Sequence, residues 1–271
     1  MGYVISIINM KGGVGKSTLS VNLSYTLSEI LASKKEGGKV LLIDMDPQMN
    51  ATAYLESEKE LDTTLKNKEI TSCTIFEAQI PKKNIIKHFS NNLDYIPSHL
   101  SLEETANSTY VNSLNVFLVA NNLTNEYQYI IIDTPPTMSF FTDASLSASN
   151  GYLVPTTLSP LSRLGLKLLR DYIRDRLPRK VQSINLKEYG IVINKVPGAN
   201  ARCIIEIEKE KLIRNYSSLL FKDEIPETVA ALHLLNNLDP KKRMFLDGTP
   251  ASAPLKKCIK GISNEFIRRV N

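Results

Sequence analysis

Residues 11–18 read KGGVGKST, and this stretch decides the fold. It follows a short apolar run rich in β-branched side chains at Tyr3–Ile8 and precedes a helical pattern from Ser17 to about Ser33. Glycines allow backbone amides to point inward around an oxyanion, because a Cβ atom would block its close approach. A strand, a glycine-rich loop and a helix in this order therefore predict a phosphate-binding loop.

The residue types within this loop predict its ligand contacts. We expect Lys16 to lie along the β- and γ-phosphates of a nucleotide and the Ser17 hydroxyl to bind Mg²⁺. The helix that begins there directs its positive end at the phosphates. The loop therefore predicts a bound nucleotide and Mg²⁺. Its predicted nucleotide-binding residues are Lys11, Gly12, Gly13, Val14, Gly15, Lys16, Ser17 and Thr18.

Strand and helix patterns alternate through the rest of the chain. The predicted strands are Val40–Ile43, Leu93–Ile96, Tyr129–Ile132, Tyr152–Val154 and Ile191–Ile193. The predicted helices are Leu102–Leu123, Phe140–Ala148, Ser159–Leu177, Ala199–Asn215, Glu227–Leu235 and Ser252–Val270. Continuously apolar strands alternating with helices indicate an α/β fold with a doubly wound, mostly parallel sheet covered on both faces. We expect one domain over 1–271, with 56–92 as a less regular excursion and 241–271 as a basic C-terminal segment.

Carboxylates stand where two of the predicted strands end. Asp44 and Asp46 follow the strand Val40–Ile43, and Asp133 follows Tyr129–Ile132. Ligands of open α/β sheets bind at the carboxyl edge of the strands. The spacing of two places Asp44 and Asp46 on the same side of an extended segment. The strand that ends in Asp133 has the Walker B arrangement, in which the carboxylate holds Mg²⁺.

One departure within the loop identifies the type of nucleotide-binding protein. The general phosphate-loop pattern has glycine five residues before Gly15, whereas this chain has Met10 there and a second lysine, Lys11, at the start of the loop. This arrangement resembles the deviant Walker A motif, KGGxGK[ST], of the ParA/MinD superfamily of P-loop ATPases. The stretch DMDPQMNAT at residues 44–52 resembles the second nucleotide motif of ParA-type proteins.

The resemblance implies roles for particular residues. Lys11 would reach across a two-fold interface to the partner subunit's nucleotide, so that ATP holds two subunits together as a homodimer. Asp46 would orient or polarise the attacking water, and Asp44 would support the Mg²⁺ shell. Asn194 would hydrogen-bond the adenine edge, and Pro226 would line the other side of the base. Catalysis is thus expected from Lys11, Lys16 and Asp46, and metal binding from Ser17, Asp44 and Asp133.

Composition and cysteine usage exclude several classes of protein. Hydrophobic residues make up 42% and charged residues 23% of the 271 residues, as in an ordinary globular protein. The three cysteines, Cys73, Cys203 and Cys258, are scattered without CxxC spacing, so neither a disulfide framework nor a zinc site is expected. The sequence has neither a basic, apolar leader pattern nor an apolar run of about 18 residues, so we expect a cytoplasmic protein.

The net charge of +5 is unevenly distributed. Residues 241–271 carry +6 and residues 1–240 carry −1, and a second basic stretch spans 163–180. Clustered lysines and arginines are candidate contacts to the phosphate backbone of DNA. The predicted contacts are Arg163, Lys167, Arg170, Arg174, Lys241, Lys242, Arg243, Lys256, Lys257, Lys260, Arg268 and Arg269.

The motifs favour the small, Soj-like type of ParA protein over the other branches. Such a protein would bind DNA without sequence preference at the nucleoid and would depend on a ParB-type centromere-binding partner for specificity, because no operator-reading extension precedes the loop. A MinD-like ATPase that cycles on membranes remains the alternative, because the C-terminal helix is basic and amphipathic. A metabolic ligase of the dethiobiotin-synthetase type is a third possibility, against which the DPQ motif argues.

Overall fold

Seven strands form one continuous sheet in a computed structural model of the chain, which describes residues 1–34, 37–77, 83–106, 111–181, 185–197, 202–247 and 252–271. The strands are β1 (Tyr3–Ile7), β2 (Val40–Asp44), β3 (Lys87–Ser90), β4 (Leu93–Ile96), β5 (Tyr129–Asp133), β6 (Gly151–Thr156) and β7 (Lys187–Ile193). Their order is β3-β4-β2-β5-β1-β6-β7, and every neighbouring pair is parallel except β3 with β4. The predicted, mostly parallel α/β sheet is confirmed.

Helices cover both faces of the sheet. They are α1 (Lys16–Ala32), α2 (Asn50–Leu55), α3 (Glu58–Lys66), α4 (Ser113–Ala120), α5 (Leu123–Glu126), α6 (Phe140–Ala148), α7 (Pro160–Asp171), α8 (Arg202–Tyr216), α9 (Val229–Leu235) and α10 (Ala253–Val270). Successive strand residues point to opposite faces. Ile131 therefore packs in the cluster that contains α1 and α10, whereas Ile130 and Ile132 pack in the cluster that contains α4 and α6.

The apolar face of the C-terminal helix is part of the first of these clusters. Leu255, Ile259, Ile262 and Phe266 are fully buried against the sheet. The hydrophobic stripe of α10 is therefore covered by the core of the chain rather than presented to a lipid surface. None of the described helices is long and apolar enough to cross a membrane.

Two predicted helices are shorter than their patterns indicate. The prediction of one helix over Leu102–Leu123 is wrong: a 3₁₀ segment spans Leu100–Thr105, α4 begins at Ser113, and residues 107–110 lie outside the described part. The Thr105 hydroxyl donates to the Leu102 carbonyl, and such local side-chain bonds compete with helix continuation. The predicted helix Ser159–Leu177 ends as α7 at Asp171 and continues as a π-type turn.

Residues 56–92, the excursion left uninterpreted by the sequence, are tied to the sheet by a buried carboxylate. The Glu56 side chain is fully buried and accepts hydrogen bonds from the Lys87 ammonium at 2.6 Å, from the Thr64 hydroxyl and from the Tyr95 hydroxyl at 3.1 Å. Lys87 lies on β3, the antiparallel edge strand that hydrophobic patterning did not predict. This polar cluster therefore orders the segment together with apolar packing, since Ile75, Phe76 and Ile85 are buried in the cluster that contains α4 and α6.

Replacing Glu56 with Ala should destabilise the protein by about 3–5 kcal/mol, because it leaves the Lys87 ammonium without its buried counter-charge. The matched control is Asp62→Ala, which breaks the exposed Asp62–Lys66 pair on α3 and should have little effect. Urea unfolding of the two variants measures the difference. Equal losses of stability would show that the Glu56 cluster does not anchor the segment.

Candidate functional site

The glycine-rich loop between β1 and α1 has the backbone that its glycines predict. Gly13 and Gly15 have φ angles of +73° and +89°, a region that L-residues rarely adopt. A Cβ atom on Gly15 would overlap the Asn194 amide, whereas Cβ atoms on Gly12 and Gly13 would meet nothing within 4 Å. The loop is therefore packed against the protein at Gly15 and open towards the cleft at Gly12 and Gly13, as a cradle for an anion requires.

Two asparagine side chains hold this loop in place. Asn9 donates to the Pro155 carbonyl at 2.8 Å and accepts from the Lys11 amide at 2.9 Å. Asn194, at the end of β7, donates to the Val14 carbonyl at 2.8 Å. Sequence reasoning missed Asn9, for which the only signal was a polar residue directly after the first apolar run.

The N-terminus of α1 is suited to binding a negatively charged group. No side chain caps this end of the helix, so its first amides are left for a ligand. Lys16, the first residue of the helix, is only 6% exposed. Burial lowers the pKa of its ammonium group, against the attraction of Asp133 and Asp46. A phosphate group bound here would therefore offset the cost of burying the Lys16 charge.

Asp44 and Asp133 face each other across neighbouring strands, because they are register partners of β2 and β5. The carboxylate of Asp44 accepts from the Asp46 amide at 3.0 Å and from the Thr52 amide and hydroxyl at 2.8 and 2.7 Å. These three hydrogen bonds attach Asp44 to the start of α2 and to the Asp46 amide. Its support of the Mg²⁺ shell stays a prediction.

Asp133 has a free oxygen where Asp44 does not. Its Oδ1 atom accepts from the Ser20 hydroxyl at 2.8 Å, while its Oδ2 atom is buried and makes no hydrogen bond within the described part of the chain. Burial raises the pKa of Asp133 to about 6, although the hydroxyls of Ser17 and Ser20 and the Lys16 ammonium oppose the rise. An orphaned carboxylate oxygen beside the Ser17 hydroxyl fits a Mg²⁺ ion.

Asp46, the second carboxylate after β2, lines the cleft itself. It is 4% exposed, and one of its oxygens accepts from the Gln48 amide at 3.0 Å. Burial raises its pKa, and Lys16 counteracts the rise. Among the described residues no group of three or more His, Cys, Asp and Glu side chains could hold a metal alone, so a magnesium ion here would need phosphate oxygens and water as well.

The glycine-rich loop, Lys16, Ser17 and Asp46 line one cleft of about 350 Å³. The loop, the acidic segment and the region after β7 each contribute to its wall. Its lining residues are Gly12, Gly13, Gly15, Lys16, Ser17, Thr18, Asp46, Gln48, Asn50, Tyr54, Pro136, Lys195 and Leu235. The described lining contains neither of the predicted base-contact residues. The Asn194 amide is bound to the loop backbone, and the chain beside Pro226 hydrogen-bonds to Val196. Contact of these two residues with the base stays a prediction.

Two of the predicted DNA contacts are structural arginines, and these predictions are corrected. Arg243 is buried and donates to the carbonyls of Ala53, Tyr54 and Glu56. Arg269 donates to the carbonyls of Tyr189, Leu219 and Leu220 and pairs with Glu265. Their guanidinium groups therefore stabilise the fold.

The other predicted DNA contacts fall into two groups, those that form ion pairs within the protein and those that do not. Arg163 pairs with Glu208, Arg170 pairs with Glu188, and Arg174 pairs with Asp171 and Asp175. These pairs reduce the net positive charge of the 163–180 stretch. The exposed basic residues that remain are Lys167, Lys241, Lys242, Lys256, Lys257, Lys260 and Arg268.

Comparison with known proteins agrees with this geometry. The AAA_31 family model, described as an AAA domain, matches residues 2–186. The sporulation initiation inhibitor protein Soj of Bacillus subtilis is 30% identical over 236 residues, which are 84% of this chain and 84% of Soj. Among solved structures, apo McdA of Cyanothece has a TM-score of 0.78 at 20% identity and covers 98% of this chain and 99% of its own. A plasmid partition protein of Borrelia burgdorferi bound to AMPPNP has a TM-score of 0.73 at 24% identity over 99% of each chain.

The loop, the uncapped helix and the strand-end carboxylates define a P-loop nucleotide-binding protein. The family match and the Soj relative make the class more specific: this chain belongs to the ParA/MinD superfamily of P-loop ATPases and has homologues of the ParA/Soj type. The resemblance found in the sequence is confirmed.

Replacing Asp133 with Asn should stabilise the metal-free protein at pH 8, by about 1–3 kcal/mol. Because the pKa of Asp133 is raised to about 6, its protonated form stabilises the fold at low pH, and this stabilisation is lost as the pH rises through about 6. At pH 8 the side chain is charged, and its burial opposes folding. The difference in the free energy of unfolding between the variant and wild type should shrink towards pH 4, where the Asp133 carboxyl of the wild type is protonated. Urea unfolding in EDTA at several pH values measures it, and a gain independent of pH would contradict this assignment.

Proposed function

We propose that this chain is a partition ATPase that dimerises on ATP, binds DNA without sequence preference and segregates a plasmid or chromosome with a ParB-type partner. The observation that carries the proposal is the KGGVGKST loop, with its early lysine, in a chain 30% identical to Soj along most of both lengths. The acidic strand ends and the exposed lysines of α10 support it. The protein would act in the cytoplasm, at the nucleoid.

The charged and hydroxyl side chains at and beside the cleft have distinct roles in this proposal. The amides of the loop and the Lys16 ammonium would neutralise the phosphates, and Ser17 and Asp133 would hold Mg²⁺. Asp46 would orient the attacking water, and Asp44 would keep Asp46 and α2 in place through its bonds to the Asp46 amide and to Thr52. Bound Mg²⁺-ATP would supply the γ-phosphoryl group. Its presence would favour the dimer, and its loss on hydrolysis would favour the monomer.

Lys11 supplies the link between nucleotide and assembly. In this proposal the glycine loop and Lys16 bind the nucleotide within one subunit, and Lys11 adds a cation where negative charge develops on the γ-phosphoryl group during hydrolysis. A cation placed there from the partner subunit acts as an arginine finger does. ATP would therefore favour a face-to-face dimer, and hydrolysis would release it.

Replacing Lys11 with Ala should leave ATP binding within about threefold of wild type and lower the hydrolysis rate by about 10²-fold or more, because the change removes transition-state charge and leaves the cradle intact. Binding of a fluorescent ATP analogue and phosphate release measure the two effects. The contrast is Lys16→Ala, which should lose nucleotide binding itself. Wild-type hydrolysis by the Lys11 variant would remove Lys11 from the mechanism.

The DNA-binding surface of the proposal is the outer face of α10. Lys256, Lys257, Lys260 and Arg268 are exposed along this helix, opposite the apolar face that packs on the sheet. Lysines that project from an anchored helix can neutralise phosphates without reading bases. Lys241 and Lys242, in the 3₁₀ segment Pro240–Arg243, are further exposed positive charges.

Replacing Lys256, Lys257 and Lys260 together with Ala should weaken non-specific DNA binding in ATP and flatten its log–log salt dependence by up to about 0.9 per lost phosphate contact. The matched control removes the exposed lysines Lys59, Lys66 and Lys68, with the same change in charge. A salt titration of DNA binding in ATP and in ADP measures both effects. Identical salt slopes for the two triple variants would exclude α10 as the DNA surface.

A parallel experiment tests the membrane-cycling alternative. The protein is sedimented with vesicles of anionic lipid, in ATP and in ADP. The buried apolar stripe of α10 predicts no ATP-dependent association with vesicles. Strong ATP-dependent association, without DNA binding, would favour the MinD-like function instead.

A further inference from the structure

The side chain of Lys11 is held within its own subunit. Its ammonium nitrogen lies 3.1 Å from the Ser159 hydroxyl and 3.1 Å from the Ser162 hydroxyl. Both serines belong to the start of α7, where Ser159 is the N-cap and accepts from the Ser162 amide at 3.2 Å. The lysine that the proposed function sends to the partner subunit therefore has a second, intramolecular position.

The contact depends on a close approach between the loop and α7. Asn9 fixes the Lys11 amide, and Gly165 of α7 lies directly against both residues. A Cβ atom on Gly165 would stand 3.2 Å from the Asn9 side-chain oxygen and 3.9 Å from the Lys11 Cβ atom. The absence of a side chain at Gly165 thus leaves room for α7 beside the loop.

We propose that Ser159 and Ser162 are positioning residues that dock Lys11 in cis and hold its ammonium away from the dimer interface until ATP is bound. The inference rests on the proposed function, because it presumes that Lys11 acts across that interface. It adds a competing position that the lysine must leave before two subunits join. The docking hydroxyls would therefore set the ATP concentration at which the protein assembles.

The docking site is suited to reversible release. Both acceptors are neutral hydroxyl oxygens, and the positive end of α7 opposes a cation, so the contact is weaker than an ion pair. Ser162 is fully buried, yet its hydroxyl also bonds to Thr157 at 2.6 Å and to Ser159 at 2.9 Å. When Lys11 leaves, the serine hydroxyls keep partners, so departure strands no buried polar group.

The most direct test is the chemical reactivity of Lys11 in the nucleotide-free protein. Acetylation with a small amine-reactive ester is followed by mass spectrometry of the Lys11 peptide. We expect Lys11 to react about three- to tenfold faster in Ser162→Ala than in wild type, because one charge-assisted hydrogen bond is lost. Exposed Lys66 serves as the internal standard. An unchanged Lys11 rate would overturn the docking proposal.

Two further variants separate docking from folding. Ser159→Gly removes the other hydroxyl and retains an accepted N-cap residue, so it should raise the Lys11 rate while α7 stays formed. Ser145→Ala removes a buried hydroxyl of α6 that bonds to the Phe141 carbonyl, and it should leave the rate unchanged. Equal acceleration by Ser145→Ala would show loosened packing rather than undocking and would overturn the proposal.

Assembly provides the second readout. The ATP concentration for half-maximal dimerisation, measured by light scattering, should fall about three- to tenfold in Ser162→Ala, a gain that mere loss of stability would not produce. An unchanged or higher concentration would overturn the regulatory role. If Lys11 reacts faster in the variant but neither protein dimerises on ATP, the docking contact stands and the proposed function fails. The two failures are therefore distinguishable.

Discussion

The site depends on the burial of charge at the carboxyl edge of the central strands. Asp44, Asp46 and Asp133 are withdrawn from water beside Lys16 and the uncapped start of α1. Each charge is costly to bury alone, and the raised pKa values of the carboxyls and the lowered pKa of the lysine record that cost. The parallel register of β2 and β5 brings Asp44 and Asp133 together at the sheet edge where ligands of open α/β sheets bind. A phosphate and a divalent cation are the ligands that would relieve this cost.

The acidic segment after β2 links this edge to the C-terminal part of the chain. Thr52 of α2 satisfies Asp44, and two residues later the hydroxyl of Tyr54 donates to the Arg243 carbonyl at 3.1 Å. The Arg243 guanidinium in turn binds the carbonyls that end α2. The basic turn that contains Lys241 and Lys242 is thus attached to the helix that completes the nucleotide motif.

Sequence reasoning predicted the parts of the protein whose physical cause is local. The loop could be predicted because glycines, lysine and serine are contiguous, and the sheet because buried parallel strands are continuously apolar. The Asn9, Thr52 and Ser20 contacts and the structural roles of Arg243 and Arg269 could not, because most of their partners are distant in sequence. A charge count likewise registers Arg163 and Arg170 as positive but not the carboxylates that neutralise them. In the 56–92 segment, the buried Glu56 carboxylate is bound by Lys87 and Tyr95, which lie far from it in sequence, so periodicity does not reveal these contacts.

The central claim is that ATP occupancy of this cleft controls assembly. Sedimentation velocity of the Asp46→Ala variant with Mg²⁺ and either ATP or ADP tests it most directly, because hydrolysis should be too slow to mix the two states. The account predicts a dimer in ATP and a monomer in ADP at the same protein concentration. The same sedimentation coefficient in both nucleotides, with binding of both verified, would contradict it.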